Sequence, residues 1–322
     1  MGNRYSNAVV FGGSGFIGRY IVGRLAKTGA RVVVPSRHPG QVTYLRSAGD
    51  VGQVLPIAID INDDQSVATA VAGADLVVNL IGILAPSGRN SFDAVQHQAA
   101  ARIARAAKAA GAKRFVQVSA LGADAGSNSS YATSKAQGEK AVLAAFPEAT
   151  ILRPSVVFGP DDQFFNRFAA MATTLPCLPL IGGGRTQMQP VYVGDVADAV
   201  LAAVEGEGAQ GRTYELTGPR RYSFKELMQF TVNQIGRPGK CMVSLGFGLS
   251  GLLGSFLQLL PGKPLTADQV ELLKVDNVAG GTLPGLADLG IQAKAIEVIV
   301  PTYLDKFRIG GRFTQPGGNT PA

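Results

Sequence analysis

Tyr131-Ala-Thr-Ser-Lys135 sets a phenol and an amine four residues apart. On a helix that spacing puts both side chains on one face. An ammonium beside a phenol favours the phenolate, drawing a pKa of about 10 toward working pH. The tyrosine then suits general acid or base work, and the lysine suits holding the ribose of a nicotinamide cofactor. A second group of residues could bind such a cofactor. Gly12, Gly15 and Gly18 form G-x-x-G-x-x-G between an apolar run and a helical pattern that begins with Phe16 and Ile17. Gly12 permits a tight turn, Gly15 lets a pyrophosphate approach the chain, and Gly18 lets the helix pack on a sheet. Amide groups at that helix start face the phosphates.

These residues need a scaffold, and the chain alternates strand-like and helix-like segments to supply one. Strands are expected at 8–13, 31–36, 53–60, 74–82, 114–120 and within 149–159. Helices are expected at 15–28, from Asp63-Asp64 to Val71, at about 92–111 and at about 131–145. Such alternation predicts an α/β fold with a doubly wound parallel sheet of the Rossmann type, which binds ligands at the C-terminal strand ends. A smaller mixed lobe follows. The expected boundaries are 1–176 for the dinucleotide domain, with 189–207 returning to it, 177–309 for the lobe, and a loose tail at 310–322.

The end of the second strand selects the cofactor. It reads Pro35-Ser36-Arg37-His38, with no carboxylate to accept from the ribose 2′-hydroxyl of NAD. Arg37 suits a 2′-phosphate through paired, charge-assisted hydrogen bonds, and Ser36 adds another. NADP(H) is therefore expected ahead of NAD(H). Asp60 and Ile61 would flank the adenine. Leu80, Ile81 and Gly82 would line the path to the nicotinamide, with Pro154 and Ser155 at its border.

The formal charge of +7 favours anionic company such as a phosphorylated cofactor, an acidic partner or an anionic membrane. Lys and Arg are scattered without an aromatic-interleaved stripe, which argues against nucleic acid. Cys177 and Cys241 lack metal-ligand spacing and read as ordinary reduced thiols of a cytosolic protein; no histidine has a zinc-ligand partner at matching spacing. The polar opening MGNRYSN predicts no secretory signal.

The phrases GGSGFIG, YATSK, LRPSVVFGP and PVYVGDVADAV stand in the order found in short-chain dehydrogenases/reductases, and the chain resembles an atypical, extended member. That resemblance implies a nicotinamide cofactor and a Ser/Thr–Tyr–Lys group. Ser119 matches the first serine after strand five in that family. The positions where the working hydroxyl usually follows are Ala120 and Leu121. Ser127, Ser129 and Ser130 would substitute only if their loop folds back. The departure implies a site that binds cofactor without efficient turnover. NLIGIL, FGPDDQFFNRFAAMA, LPLIGGGRTQMQPVYVGDVA and YELTGP resemble one branch, the nucleotide-binding accessory subunits of respiratory complex I and their bacterial relatives. The branch implies a structural NADP(H), attachment to a membrane-bound NADH:quinone oxidoreductase, and a peripheral place on the cytoplasmic face of the inner membrane. The competing expectations are a soluble NADP-dependent oxidoreductase or epimerase using Tyr131 and Lys135, and a redox-sensing binding module.

CMVSLGFGLSGLLGSFLQLLPG, residues 241–262, carries no charge. Read as a helix, it gathers Leu249, Leu252, Leu253, Phe256, Leu257 and Leu260 on one face and Ser250, Gly251, Gly254, Ser255 and Gln258 on the other. Packing on the smaller lobe and contact of 245–260 with a membrane or apolar partner are both open at this point. Asp161-Asp162 and Asp195 read as helix caps.

Overall fold

Runs rich in valine and isoleucine become strands, and the segments between them wind into helices that cover both faces. The computed structural model describes residues 5–258, 265–308 and 310–311. Strand β1 (Asn7–Phe11) passes through the glycine turn into α1 (Phe16–Lys27) and β2 (Arg31–Ser36). There follow β3 (Val54–Ala58), α2 (Asp64–Val71), β4 (Leu76–Asn79), α3 (Ala99–Ala109), β5 (Arg114–Val118), α4 (Ser130–Ala145) and β6 (Thr150–Pro154). Next come β7 (Val157–Phe158), α5 (Phe165–Thr174), β8 (Cys177–Ile181), β9 (Gln187–Met188), β10 (Val191–Tyr192), α6 (Val193–Glu205) and β11 (Thr213–Leu216). Later elements are β12 (Tyr222–Ser223), α7 (Phe224–Gln234), β13 (Cys241–Leu245), α8 (Phe247–Leu257) and α9 (Ala267–Leu272).

Seven strands form one sheet in the order β11-β6-β5-β4-β1-β2-β3. Every pairing in it is parallel. A parallel sheet must be covered on both faces, and β4 is buried at all four positions. Phe11, Val77, Ile103, Phe115, Phe146 and Ile151 are part of one core cluster, with the Phe115 and Phe146 ring centroids 5.6 Å apart. The strand order reverses between β1 and β4, the place where an open α/β sheet leaves a crevice for ligand.

Two compact units emerge. The first comprises Met1–Pro154, Val193–Leu216 and Ala279–Gln292; the second comprises Ser155–Tyr192, Thr217–Val278 and Ala293–Ala322. The chain thus divides at Pro154 rather than at 176, because β7 and α5 pack with residues of the second core. That core includes Phe158, Phe165, Leu178, Leu227, Met228 and Leu304. The segment returning to the first unit is also longer than 189–207 at its far end, since β11 pairs with β6. Of the expected tail, 312–322 lies outside the described residues.

The helix expected at 92–111 begins with a widened π turn, Asp93–Gln98, before α3. Gly138 of α4 faces that turn so closely that an added Cβ would lie 2.1 Å from the Gln96 carbonyl oxygen. Asp63 caps α2 by accepting from the Ser66 N–H, and Asp162 accepts from the amides of Phe164 and Asn166 at the start of α5. Asp195 does not precede its helix: α6 starts at Val193, which puts Asp195 inside the first turn and fully buried.

The uncharged stretch from Cys241 is not one helix. Its first five residues form β13, paired in parallel with β8 from Cys241↔Cys177 to Leu245↔Ile181. In α8 two small residues, Ser250 and Gly254, turn inward, while Ser255 stays exposed. Ser250 is buried, and Gly254 lies so near the Thr266–Ala267 backbone that an added Cβ would be 3.0 Å from it. Leu249, Leu252 and Leu253 are exposed by 54%, 64% and 37%. A stripe without bulky side chains lets two backbones approach, so the leucine face is left outside. Leu260 lies outside the described residues, as do the side chains of Phe256 and Leu257. Among the described residues, no helix is long and apolar enough to cross a membrane.

Candidate dinucleotide site

The turn after β1 is built for a bare backbone. Gly12 has φ of 76°, a left-handed conformation that favours glycine, and its carbonyl accepts from the Gly15 N–H at 3.0 Å. A Cβ on Gly12 would sit 3.2 Å from the Leu80 backbone carbon at the end of β4. A Cβ on Gly18 would sit 2.2 Å from the Gly12 oxygen and 2.6 Å from the Gly13 Cα. Gly15 is the N-cap of α1 and brings no side chain to cap it. The first N–H groups of α1, at Phe16 and Ile17, have no side-chain cap, an arrangement that suits an anion. Tyr44 donates its hydroxyl to the Ser14 carbonyl at 3.0 Å. This brace lies thirty residues from its acceptor, and no spacing rule signals it.

Beside the turn, β2 ends at Ser36, whose hydroxyl accepts from the His38 N–H at 3.2 Å. Arg37 is exposed at this strand end. After β3, the Asp60 carboxylate accepts from the backbone and side-chain amides of Asn62. Ile61 packs against the sheet core, and its carbonyl accepts from Arg102.

At the end of β4, Leu80 donates its N–H to Phe11, so the Leu80-Ile81-Gly82 segment begins beside the glycine turn. Ile81 donates to the side-chain oxygen of Asn79 at 3.1 Å. Asn79 is fully buried and donates in turn to Gln117 at 2.9 Å. This buried amide pair braces the start of the Leu80-Ile81-Gly82 segment and is not among the residues expected from the sequence. Its signal was a polar residue closing an otherwise apolar strand.

Lys135 is only 6% exposed. Burial pulls its pKa down to about 8, while the charge of Glu139 one helical turn away pushes it up. Arg153 holds Glu139 with two hydrogen bonds, at 2.9 Å and 2.5 Å. The Lys135 Nζ lies 5.9 Å from the Tyr131 ring centroid, and an added Cβ on Gly82 would be 3.0 Å from the same nitrogen. Phe92 meets the Tyr131 ring edge-on at 6.0 Å. The amine and the phenol thus lie near each other, as their spacing predicts, and the Gly82 backbone lies beside the amine.

Ser119 follows β5 with a buried hydroxyl that has no hydrogen-bond partner in the protein. A buried unpaired polar atom calls for a ligand atom. Leu121 is buried at the position of the expected hydroxyl and donates its N–H to Pro154. Nearby serines build the turn: Ser127 accepts from the Ser129 N–H, and Ser129 caps α4 through the Ala132 N–H. Ser130 is the exposed first residue of that helix. The Ser155 hydroxyl donates to Asn277 at 2.5 Å within the second unit. The Cβ-free cradle, the unpaired Ser119 hydroxyl and the sequestered amine fit a nicotinamide dinucleotide.

The amine gives a test of this geometry without any ligand. The unfolded chain keeps the Lys135 proton up to about 10.5, the folded chain only to about 8. Burial therefore destabilises the protein below about 8, by about 3 kcal/mol at most, and that cost fades as pH rises from 8 to 10.5. Cofactor-free protein should gain stability over this window relative to Lys135→Met in denaturant titrations. Parallel pH profiles of the two would contradict the burial.

Residues 8–217 match the NAD dependent epimerase/dehydratase family. The mitochondrial NADH dehydrogenase [ubiquinone] 1 alpha subcomplex subunit 9 of Arabidopsis thaliana is 37% identical over 316 residues, covering 94% of this chain and 78% of that protein. A ceramide reductase of Caulobacter vibrioides is 32% identical over 229 residues, covering 70% of each chain. Among solved structures, the NADPH complex of the Escherichia coli NADPH-dependent quinone oxidoreductase QOR2 superposes with a TM-score of 0.72 at 20% identity, over 92% of this chain and 99% of that one. At that identity it speaks for the fold alone.

Proposed function

The chain belongs to the NAD dependent epimerase/dehydratase family and is a homologue of the plant alpha subcomplex subunit 9, and from there we propose that it is an NADP(H)-binding accessory or assembly subunit of a membrane-bound NADH:quinone oxidoreductase. The cofactor is structural in this reading. Gly12, Gly15 and Gly18 leave room for its pyrophosphate, Ser36 and Arg37 take the 2′-phosphate, and Ser119, Tyr131 and Lys135 hold the nicotinamide half. When bound, such a cofactor supplies hydride chemistry. Tyr131 could deliver a proton to a substrate oxygen, but Leu121 offers no second hydroxyl to hold that oxygen in place. That buried leucine, with the loop serines spent on the turn, is the observation that carries the non-catalytic reading. A ligand that binds only the folded state still stabilises the fold without reacting.

A second reading rests on the intact Tyr131–Lys135 pair and on the Caulobacter relative. It makes the protein an NADP-dependent carbonyl reductase acting on a lipid. Affinity purification from membranes in mild detergent separates the two. Co-purification with quinone reductase subunits supports the first reading. A chain that purifies alone and oxidises NADPH with a long-chain ketone supports the second and removes the first.

Either reading places the protein at a membrane, and α8 is the proposed contact. The second unit holds thirteen Lys and Arg against eight Asp and Glu, so an anionic bilayer complements it. The exposed leucines of α8 would lie in the interfacial region. The protein should sediment with vesicles containing phosphatidylglycerol, less so at high salt, and Leu249→Ser/Leu252→Ser should lose most of that binding. Binding unchanged in the variant would remove α8 as the contact. A dimer that the variant splits would instead assign the face to a second copy.

A further inference from the structure

The chain has two cysteines, separated by more than sixty residues, and the fold brings them face to face. Cys177 opens β8, Cys241 opens β13, and the two are direct partners in the parallel ladder. Adjacent strands run about 4.8 Å apart. That spacing falls inside the Cα separation of about 4.4–6.8 Å that a disulfide spans. In a parallel pair, matched residues point to the same side of the sheet. Cys241 is exposed and Cys177 is half-buried. Neither thiol is among the residues of the proposed dinucleotide site, whose glycine turn, Tyr131 and Lys135 belong to the other unit.

We propose that Cys177 and Cys241 are a modification site, a thiol pair that small-molecule disulfides convert reversibly into an internal disulfide. Cys241, the more accessible, attacks first as thiolate. Its sulfur bonds to one sulfur of the small disulfide, and the other sulfur leaves as a thiolate that takes up a proton. Cys177 then loses its proton and attacks the Cys241 sulfur of the mixed disulfide, expelling the second small thiol. Two protein thiols are oxidised and one small disulfide is reduced to two thiols, so electrons and protons balance. The hydrogen bond with Cys241, followed by burial, holds the Cys177 thiol above its ordinary range, which suits the resolving rather than the attacking role. The Lys240 ammonium beside the pair acts in the opposite direction on Cys177.

The link would fasten the first residue of β13 to β8. The rest of β13 is half exposed, at Val243 and Ser244, and leads through Gly246 into α8. Oxidation would thus clamp the strand that leads into the helix with the exposed leucines, and reduction would leave that strand held by its ladder alone. This inference does not depend on cofactor binding or on the accessory-subunit reading.

Incubating the full chain with oxidised glutathione, followed by intact-mass and tryptic analysis without reductant, tests it. Arg167 and Arg185 bracket Cys177, and Lys240 immediately precedes Cys241, so trypsin separates the two cysteines. The expected product is a monomer lighter by two hydrogens, unreactive to maleimide, with the two peptides joined and released by dithiothreitol. Cys177→Ser should instead keep one glutathione on Cys241, which shows the trapped first step in a chain that cannot close. Circular dichroism of that variant checks its fold. A wild-type chain that stays reduced, accumulates glutathione without an internal link, or joins only to other chains would overturn the proposal, as would a Cys177→Ser chain that takes up no glutathione.

Discussion

Arg37→Glu is expected to weaken NADPH binding by about 100-fold and to leave NADH within about threefold of its starting affinity. Each charge-assisted hydrogen bond contributes about 1.5–3 kcal/mol, and about 1.4 kcal/mol is a tenfold change. Losing the guanidinium removes the 2′-phosphate's counter-charge, and the new carboxylate adds repulsion. The same carboxylate can accept from a free 2′-hydroxyl, which offsets any loss for NADH. Arg37 is exposed at the end of β2, so solvent screening is large and the titrations belong at low ionic strength. Calorimetry with both coenzymes reads the ratio. An unchanged preference would remove Arg37 as the selector and leave the choice of coenzyme to other residues.

Gly18→Ala should be a severely damaging small change in the first unit. Its Cβ would lie 2.2 Å and 2.6 Å from backbone atoms of Gly12 and Gly13, and a Cβ has no rotamer by which to escape. The turn or the helix must move, at a cost of about 2–3 kcal/mol, and either movement displaces the amides that face the pyrophosphate. Gly23→Ala in the same helix is the control, because an added Cβ there meets nothing within 4 Å. That variant should be neutral or more stable by up to about 1 kcal/mol, from helix propensity alone. Thermal unfolding with and without NADPH compares them. Equal melting temperatures for the two variants would mean that the glycine turn tolerates a side chain, and the proposed phosphate cradle would fall.

Local chemistry explains what was legible in the sequence. The turn at Gly12–Gly18 could be read because glycine alone satisfies both its φ and its close approaches. The parallel sheet could be read because strand and helix periods alternate with short links. Tyr131 and Lys135 meet because helical spacing guarantees it. What stayed hidden depends on partners far along the chain. The Asn79–Gln117 pair, the Tyr44 brace on Ser14, the pairing of β11 with β6 and the facing cysteines all join distant segments. The α8 segment misled for a different reason. Its leucine face looked able to pack inward, yet Gly254 lies against the start of α9 and Ser250 is buried, so the leucines face out. Ser127 and Ser129 looked able to replace a missing hydroxyl until the turn they build placed them.

The central claim is a tightly held NADP(H) in a chain that does not turn it over. Mass spectrometry of the protein as purified, under non-denaturing conditions, addresses it most directly. The expected spectrum shows one NADP(H) per chain, retained through buffer exchange and unchanged by added carbonyl compounds. A spectrum of bare protein that takes up either coenzyme weakly and releases it on exchange would contradict the claim.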